Sequence, residues 1–246
     1  MIASMISFVI PAHNEEALLP ATLTALFAAA SATGRPFEVI VADDASTDRT
    51  AEVAQCAGAR VAKLNLRKIS AVRNAGARAA SGDILFFIDA DTLVSQTTLR
   101  AALQALEAGA VGGGAPIRLD DNAPAWGRAI TWIIAQVWFR MRWAAGCFVF
   151  VRREIFDRVG GFDEQYFLGE EMYLSKALKR EGKFVIVRHP VLTSARKFRT
   201  YSPRDLTVAL LTLLGKGTES WKTRDAARWW YEGRREASIV SRDDAA

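Results

Sequence analysis

The chain has 246 residues, of which 50% are hydrophobic and 24% charged, with a net charge of +5 and an isoelectric point near 9.4. This composition excludes a disordered or collagenous chain and a small disulfide scaffold, and it suits one α/β domain with a real core. The mild basic bias fits phosphate-bearing ligands, anionic lipid or nucleic acid without choosing among them. Cys56 and Cys147 sit in apolar contexts without metal-ligand spacing and read as small buried thiols of a reducing compartment.

Met1 to Ile10 is apolar but too short and uncharged at its start for a signal peptide, and no stretch approaches the ~20 apolar residues of a membrane span. The expected location is the cytoplasm, free or peripheral on the inner face of a membrane. Ile6 to Ile10 reads as a buried strand closed by Pro11 and Asn14-Glu15-Glu16. Leu18, Leu19, Leu23, Leu26 and Phe27 then recur at helical spacing. A second strand, Phe37 to Ala42, stops at Asp43-Asp44, and Ser46-Thr47-Asp48 opens a helix from about Thr50 to Ala57, with Gly58 as its stop. Val61 to Leu64 is a third strand, Ser70 to Ala80 an alanine-rich helix, and Ile84 to Ile88 a fourth strand.

Strand and helix alternate four times within about 90 residues, the pattern of a parallel sheet covered by helices on both faces. In such sheets ligands bind beyond the carboxyl ends of the strands. The polar clusters at 13–16, 43–48 and 89–91 all fall at those ends. The last is Asp89-Ala90-Asp91, two carboxylates directly after a buried run. Like charges that close raise each other's pKa and cost free energy unless a cation offsets them, and a hard divalent metal takes carboxylate oxygens. A solvated loop in which Asp91 caps the next helix is the plain alternative.

A helix to about Ala108 follows, and then AVGGGAPIRL as a strand with a glycine-rich lead. Residues 126–143, WGRAITWIIAQVWFRMRW, form a helix with Ile130, Ile133, Ile134, Val137, Trp138 and Met141 on one stripe. Its only charges are Arg128, Arg140 and Arg142. Core packing or a neighbouring subunit in a homodimer is the ordinary expectation for such a helix, and anionic lipid the functional one. Gly146 to Val151 is a strand, Leu174 and Leu178 mark a helix ended by Gly182, and Phe184 to Val187 is a last strand. Residues 196–235 carry ten Lys/Arg against four Asp/Glu. Nucleic-acid binding by this tail is not expected, because tryptophan-rich helices more often pack or touch lipid.

Five blocks in order, SFVIPAHNEE, VIVADDASTDRT, SAVRNAGARAASGDILFFIDADT, FVFVRREIFDRVGGFDE and FLGEEMYLSKALKREG, resemble the family 2 glycosyltransferases of GT-A fold over roughly residues 6 to 183. The resemblance implies a mainly parallel, Rossmann-like sheet flanked by helices, with a less regular acceptor-side half. Residues 1–195 would form the transferase domain (1–92 the nucleotide-sugar half, 93–195 the acceptor half), and 196–246 a basic helical extension packed on it. It also implies a nucleotide-diphosphate sugar donor, a UDP-sugar being expected, a hydroxyl acceptor of cell-envelope, polysaccharide or glycolipid type, and Mg²⁺ or Mn²⁺ as cofactor.

Residue by residue, Asp89 and Asp91 match the family's D-x-D around Ala90, with Asp91 holding the metal and Asp89 sharing it or lying by the ribose. Pro11, Ala12, His13 and Glu15 match the loop bordering the nucleotide, and a ring at His13 would stack on or bond to the base. Asp44 matches the aspartate that accepts from the base, with Asp43 structural or ribose-proximal. Lys68 and Arg73 would offset diphosphate charge, as would Arg196 and Lys197, and His189 would complete the metal shell. Where many members have Glu-Asp, this chain has Glu170-Glu171. Aligning the flanking glycines puts Glu171 at the base position, with Glu170 the alternative. A haloacid-dehalogenase-like phosphatase also uses D-x-D after a strand, but has threonine where this chain has Leu93. A non-catalytic nucleotide-sugar-binding module is the other alternative.

Overall fold

A computed structural model describes residues 4–205 and 221–224. In chain order the elements are β1 (Ile6–Ala12), α1 (Leu19–Ser31), β2 (Phe37–Asp44), α2 (Thr50–Cys56), β3 (Arg60–Leu64), α3 (Ile69–Ala79), β4 (Ile84–Ile88), β5 (Thr92–Leu93) and α4 (Gln96–Glu107). Then come β6 (Gly112–Gly114), β7 (Ile117–Leu119), α5 (Ala125–Met141), β8 (Phe148–Arg152), α6 (Arg153–Arg158), α7 (Glu170–Glu181), β9 (Phe184–Ile186), β10 (Val191–Thr193) and α8 (Arg196–Thr200).

Seven strands form one sheet in the order β3-β2-β1-β4-β8-β6-β9. The first four run parallel, only β8 is reversed, and β6 and β9 return to the common direction. The chain leaves β1 toward β2 and β3, then crosses back to place β4 on the other side of β1. That reversal opens a crevice beyond the carboxyl ends of β1 and β4, the usual ligand position in an open α/β sheet.

Alternation along the strands splits the core in two. Ile84, Phe86 and Ile88 face a cluster with Phe8, Phe148, Phe150 and helices α1 and α4, whereas Leu85 and Phe87 face one with Phe156, Phe162 and Leu174. Strands buried on both faces explain the near-continuous apolar runs.

Several expectations are corrected. AVGGGAPIRL is not one strand: β6 joins the main sheet, and β7 joins a small sheet with β5 and β10. A methyl group at Gly113 would collide with the Val185 carbonyl and the Phe150 ring, so only glycine fits where β6 is squeezed between neighbours. Cys56 is exposed rather than buried, because it ends α2 at the surface. The α5 stripe is not core: Ile133, Ile134, Val137 and Met141 are exposed. Among the described residues no helix is long and apolar enough to cross a membrane. Residues 206–220 and 225–246, most of the expected extension, lie outside the described residues.

Candidate active site

The first three polar clusters meet beyond the crevice. His13, directly after β1, donates from Nδ1 to the Asp44 carbonyl at 2.7 Å, which leaves Nε2 to accept from the Arg67 guanidinium at 2.6 Å. The Asp44 carboxylate accepts from the backbone N–H groups of Leu66 and Arg67, pinning the turn before α3. Asp43 accepts from the Ser46 N–H at 3.3 Å, in keeping with a structural place for it. Lys68 lies over the Phe167 ring at 4.1 Å. Pro11 and Ala12 are buried strand residues whose backbone pairs with Ala42 and Asp43.

Asp89 and Asp91 leave the end of β4 in a tight turn closed by the Thr92 N–H on the Asp89 carbonyl. The Ala90 carbonyl is fixed by the buried Thr22 hydroxyl of α1. Asp91 continues into β5, whose pairing with β10 sets Thr193 beside it. Burial first, then the neighbouring Asp89 and Glu15, push the Asp91 carboxyl up to about 6 against the pull of Arg196 and Lys197.

Glu15 holds Arg196 in a two-pronged pair at 2.6 and 2.7 Å, and Arg196 reaches Asp91 at 3.3 Å. Beside it, burial and the Arg196 charge hold the Lys197 ammonium well below its usual range. His189 is not brought to the aspartates. It lines an open groove with Ser95 and Arg118 before β10, while the Asp91 carbonyl pairs with Ser194 past the other end of that strand.

Arg73 departs most from expectation. It is 3% exposed and buried among acids rather than set at the solvent edge. Its guanidinium donates to Glu170 at 2.6 Å, to Asp89 at 2.8 Å and to the Gly146 carbonyl at 2.9 Å. Burial alone would favour a neutral guanidine, but Asp89 and Glu170 outweigh it and hold the cation. The residues that follow it in the Arg73-Asn74-Ala75-Gly76 segment are structural. Asn74 clasps the backbone of Phe162 from both sides, and Gly76 lets α3 lie against Val9 of β1 where any side chain would collide. Asn74 was legible only as part of that segment.

Glu170 and Glu171 open α7 after Gly169, whose left-handed φ of 72° a side chain would strain. Burial raises Glu170 while Arg73 pulls it back. Glu171 is pushed further, to about 8, by burial and then by the Glu170 charge. The backbone of Gly146 runs beside both groups: a methyl there would sit 3.2 Å from Arg73 and 3.7 Å from Glu171.

The donor set suits a hard divalent cation. Asp89 and Asp91 offer oxygen ligands from a rigid turn, and the cost of charging Asp91 is what a cation would relieve. Among the described residues no three His, Cys, Asp or Glu side chains form a metal cage, so phosphate oxygens and water would complete the shell. A free nucleophilic Asp89, as a phosphatase needs, does not agree with its bond to Arg73.

Residues 7–163 match the family described as Glycosyl transferase family 2. Over 95 residues the chain is 38% identical to undecaprenyl-phosphate 4-deoxy-4-formamido-L-arabinose transferase of Pseudomonas paraeruginosa (strain DSM 24068 / PA7). That match takes in 35% of this chain and 28% of the relative, so the chain spans well under a third of that protein. Among solved structures, mannosyltransferase PcManGT from Pyrobaculum calidifontis, in complex with GDP-Man and Mn²⁺, superposes with a TM-score of 0.64 at 19% identity, covering 92% of this chain and 70% of that one. TarS 1-349 of S. aureus, in complex with UDP-GlcNAc, gives 0.60 at 17% identity, covering 92% and 71%. At those identities the likeness establishes a shared fold, the mixed α/β architecture with a mainly parallel sheet that the sequence pattern implied.

Proposed function

The chain belongs to glycosyl transferase family 2, and from that premise we propose that it moves a sugar from a nucleoside-diphosphate sugar, a UDP-sugar in the first instance, to a hydroxyl acceptor of envelope or glycolipid type. The observation that carries this reading is the joining of two carboxylate pairs across the crevice by one buried arginine, Arg73. The Mn²⁺ and sugar nucleotides named for the solved relatives, and the lipid phosphate named for the curated one, point the same way.

Asp91, with Asp89, would hold Mg²⁺ or Mn²⁺, which when bound offsets charge on the departing diphosphate. Arg196 stands beside Asp91 and supplies positive charge for the phosphates, with Lys197 next to it. Glu171 takes the acceptor proton. Its partner Glu170 is committed to Arg73, whereas Glu171, raised to about 8, has the basicity to deprotonate a hydroxyl near neutral pH. The acceptor oxygen then bonds the anomeric carbon as the bond to the diphosphate breaks. The backbone of Gly146 lies close beside Glu171, where a methyl would sit 3.7 Å from its carboxyl carbon. The 1–195 transferase unit and its 1–92 and 93–195 halves belong to the same reading.

Calorimetric titration with UDP and with GDP, each with and without Mn²⁺, tests it. Metal-dependent binding of one nucleotide is expected; no binding of either in the presence of Mn²⁺ overturns the assignment.

A further inference from the structure

Six large apolar side chains are exposed among the described residues, and five of them, Trp132, Ile133, Ile134, Val137 and Met141, lie on α5. Scattered exposed leucines need no explanation, but a concentration on one helix does. Ile133, Val137 and Met141 recur every fourth residue and so form one outward stripe, with Ile134 beside it. Trp132 is 65% exposed, too much for an indole kept only for packing.

The charges on this helix have a single sign. Residues 125–143 contain Arg128, Arg140 and Arg142 and no acid. Arg140 and Arg142 line an open groove with Gln136, Val185 and Ile186 at the foot of the helix. Next to it on α7 stand Lys176, over the Trp143 ring at 5.4 Å, and Lys179, bonded to the Met141 carbonyl at 2.5 Å. These cations crowd one another: burial, then Arg142 and Lys176, lower the Lys179 ammonium.

We propose that the outer face of α5, with the adjoining basic groove, docks this protein flat on an anionic lipid surface. An apolar stripe with tryptophan at its edge and flanking arginines and lysines is the chemistry of an interfacial helix, the rings and aliphatic groups entering the headgroup boundary while the cations meet lipid phosphates. A second copy of the chain would bring the same cations against one another if the faces met, which disfavours self-association.

The placement gives the surface a use, one that rests on the glycosyl-transfer reading. Glu171, Ser175 and Lys179 share one stripe of α7. Glu171 faces the crevice, Ser175 accepts from the Ala144 N–H, and Lys179 grips the end of α5. The docking face thus begins about 12 Å along α7 from the proposed base. A lipid-borne acceptor would enter from the membrane side, beside Gly146.

The test is co-sedimentation of the full chain with vesicles of phosphatidylcholine alone or mixed with phosphatidylglycerol, without substrates. Binding at least tenfold stronger to the anionic vesicles, and lost by tenfold or more in 0.5 M salt, is expected. Ile133→Asp combined with Val137→Asp should abolish it, and Arg140→Ala should weaken it severalfold, while circular dichroism and Mn²⁺–UDP titration stay unchanged. Equal binding to neutral and anionic vesicles, or unchanged binding by the double variant, overturns the proposal. So does a shift from dimer to monomer in that variant without a change in vesicle binding. Vesicle binding without any nucleotide binding would instead retain the surface and refute the transferase reading.

Discussion

The two carboxylate pairs, Asp89 with Asp91 and Glu170 with Glu171, are built alike, and in the proposed transfer they would serve opposite ends of the reaction. In each pair one member is tied to Arg73 and the other is left with its pKa raised by burial. The difference lies in what surrounds the second member. Asp91 has Arg196 and Lys197 beside it and rises only to about 6, so it is ionised at neutral pH. Glu171 has a second glutamate as the strongest charge acting on it and rises to about 8, so it holds a proton readily. Pairs of acids whose surroundings drive their pKa values apart divide the roles of a site between them. Here the division is set by Arg196 from the start of the C-terminal segment on one side and by the neighbouring Glu170, which takes up Arg73, on the other.

The largest effect should come from removing what the pairs share. Arg73→Ala leaves the buried Glu170 and the half-buried Asp89 without their partner and should cost about 3–5 kcal/mol of stability, read by urea denaturation. Arg73→Lys keeps the charge but not the fork and should fall between the variant and the parent. A double-mutant cycle with Glu170→Ala should give a coupling above about 1 kcal/mol; additive losses would mean that Arg73 does not join the pairs.

Next comes Glu171→Gln. Removing a general base typically costs about 10²–10⁴-fold in rate, and donor consumption should fall by that order while nucleotide binding persists. Full activity in this variant would transfer the role to Glu170.

The same substitution sharpens the electrostatic contrast through stability. A carboxyl whose pKa is raised on folding binds its proton more tightly in the folded state, so its ionisation destabilises the fold. The penalty is absent below the ordinary value of 4.5 and grows as pH rises toward about 8. Glu171→Gln should therefore stabilise the protein by about 1–3 kcal/mol at pH 8 and change little at pH 4. For the parent, kcat should rise with pH through the neutral range as Glu171 deprotonates, and a rate that falls over this range would contradict the assignment.

The smallest change is Gly146→Ala. Its methyl would press on Arg73 from 3.2 Å, costing about 1 kcal/mol and lowering the rate more than nucleotide affinity.

How far this was legible in the sequence depends on which forces are local. The strands β1, β2 and β4 were, because burial on both faces leaves an unbroken apolar run that few other structures tolerate. The places of the acidic clusters followed from strand direction alone. What escaped were pairings across long separations. Arg73 and Glu170 lie 97 residues apart, and Glu15 and Arg196 lie 181 apart, so nothing local marks them as partners. The short strands β5 and β10 escaped too, since two or three residues carry no periodicity. The α5 stripe was visible as a pattern, but whether it faces core or surroundings depends on what the fold sets against it.

The contrast between the two pairs is tested most directly by titrating Asp91→Asn and Glu171→Gln side by side with UDP in the presence of Mn²⁺. The account predicts that Glu171→Gln binds as the parent does, while Asp91→Asn loses affinity tenfold or more. Equal affinity in the two variants, whether both retained or both lost, would contradict it.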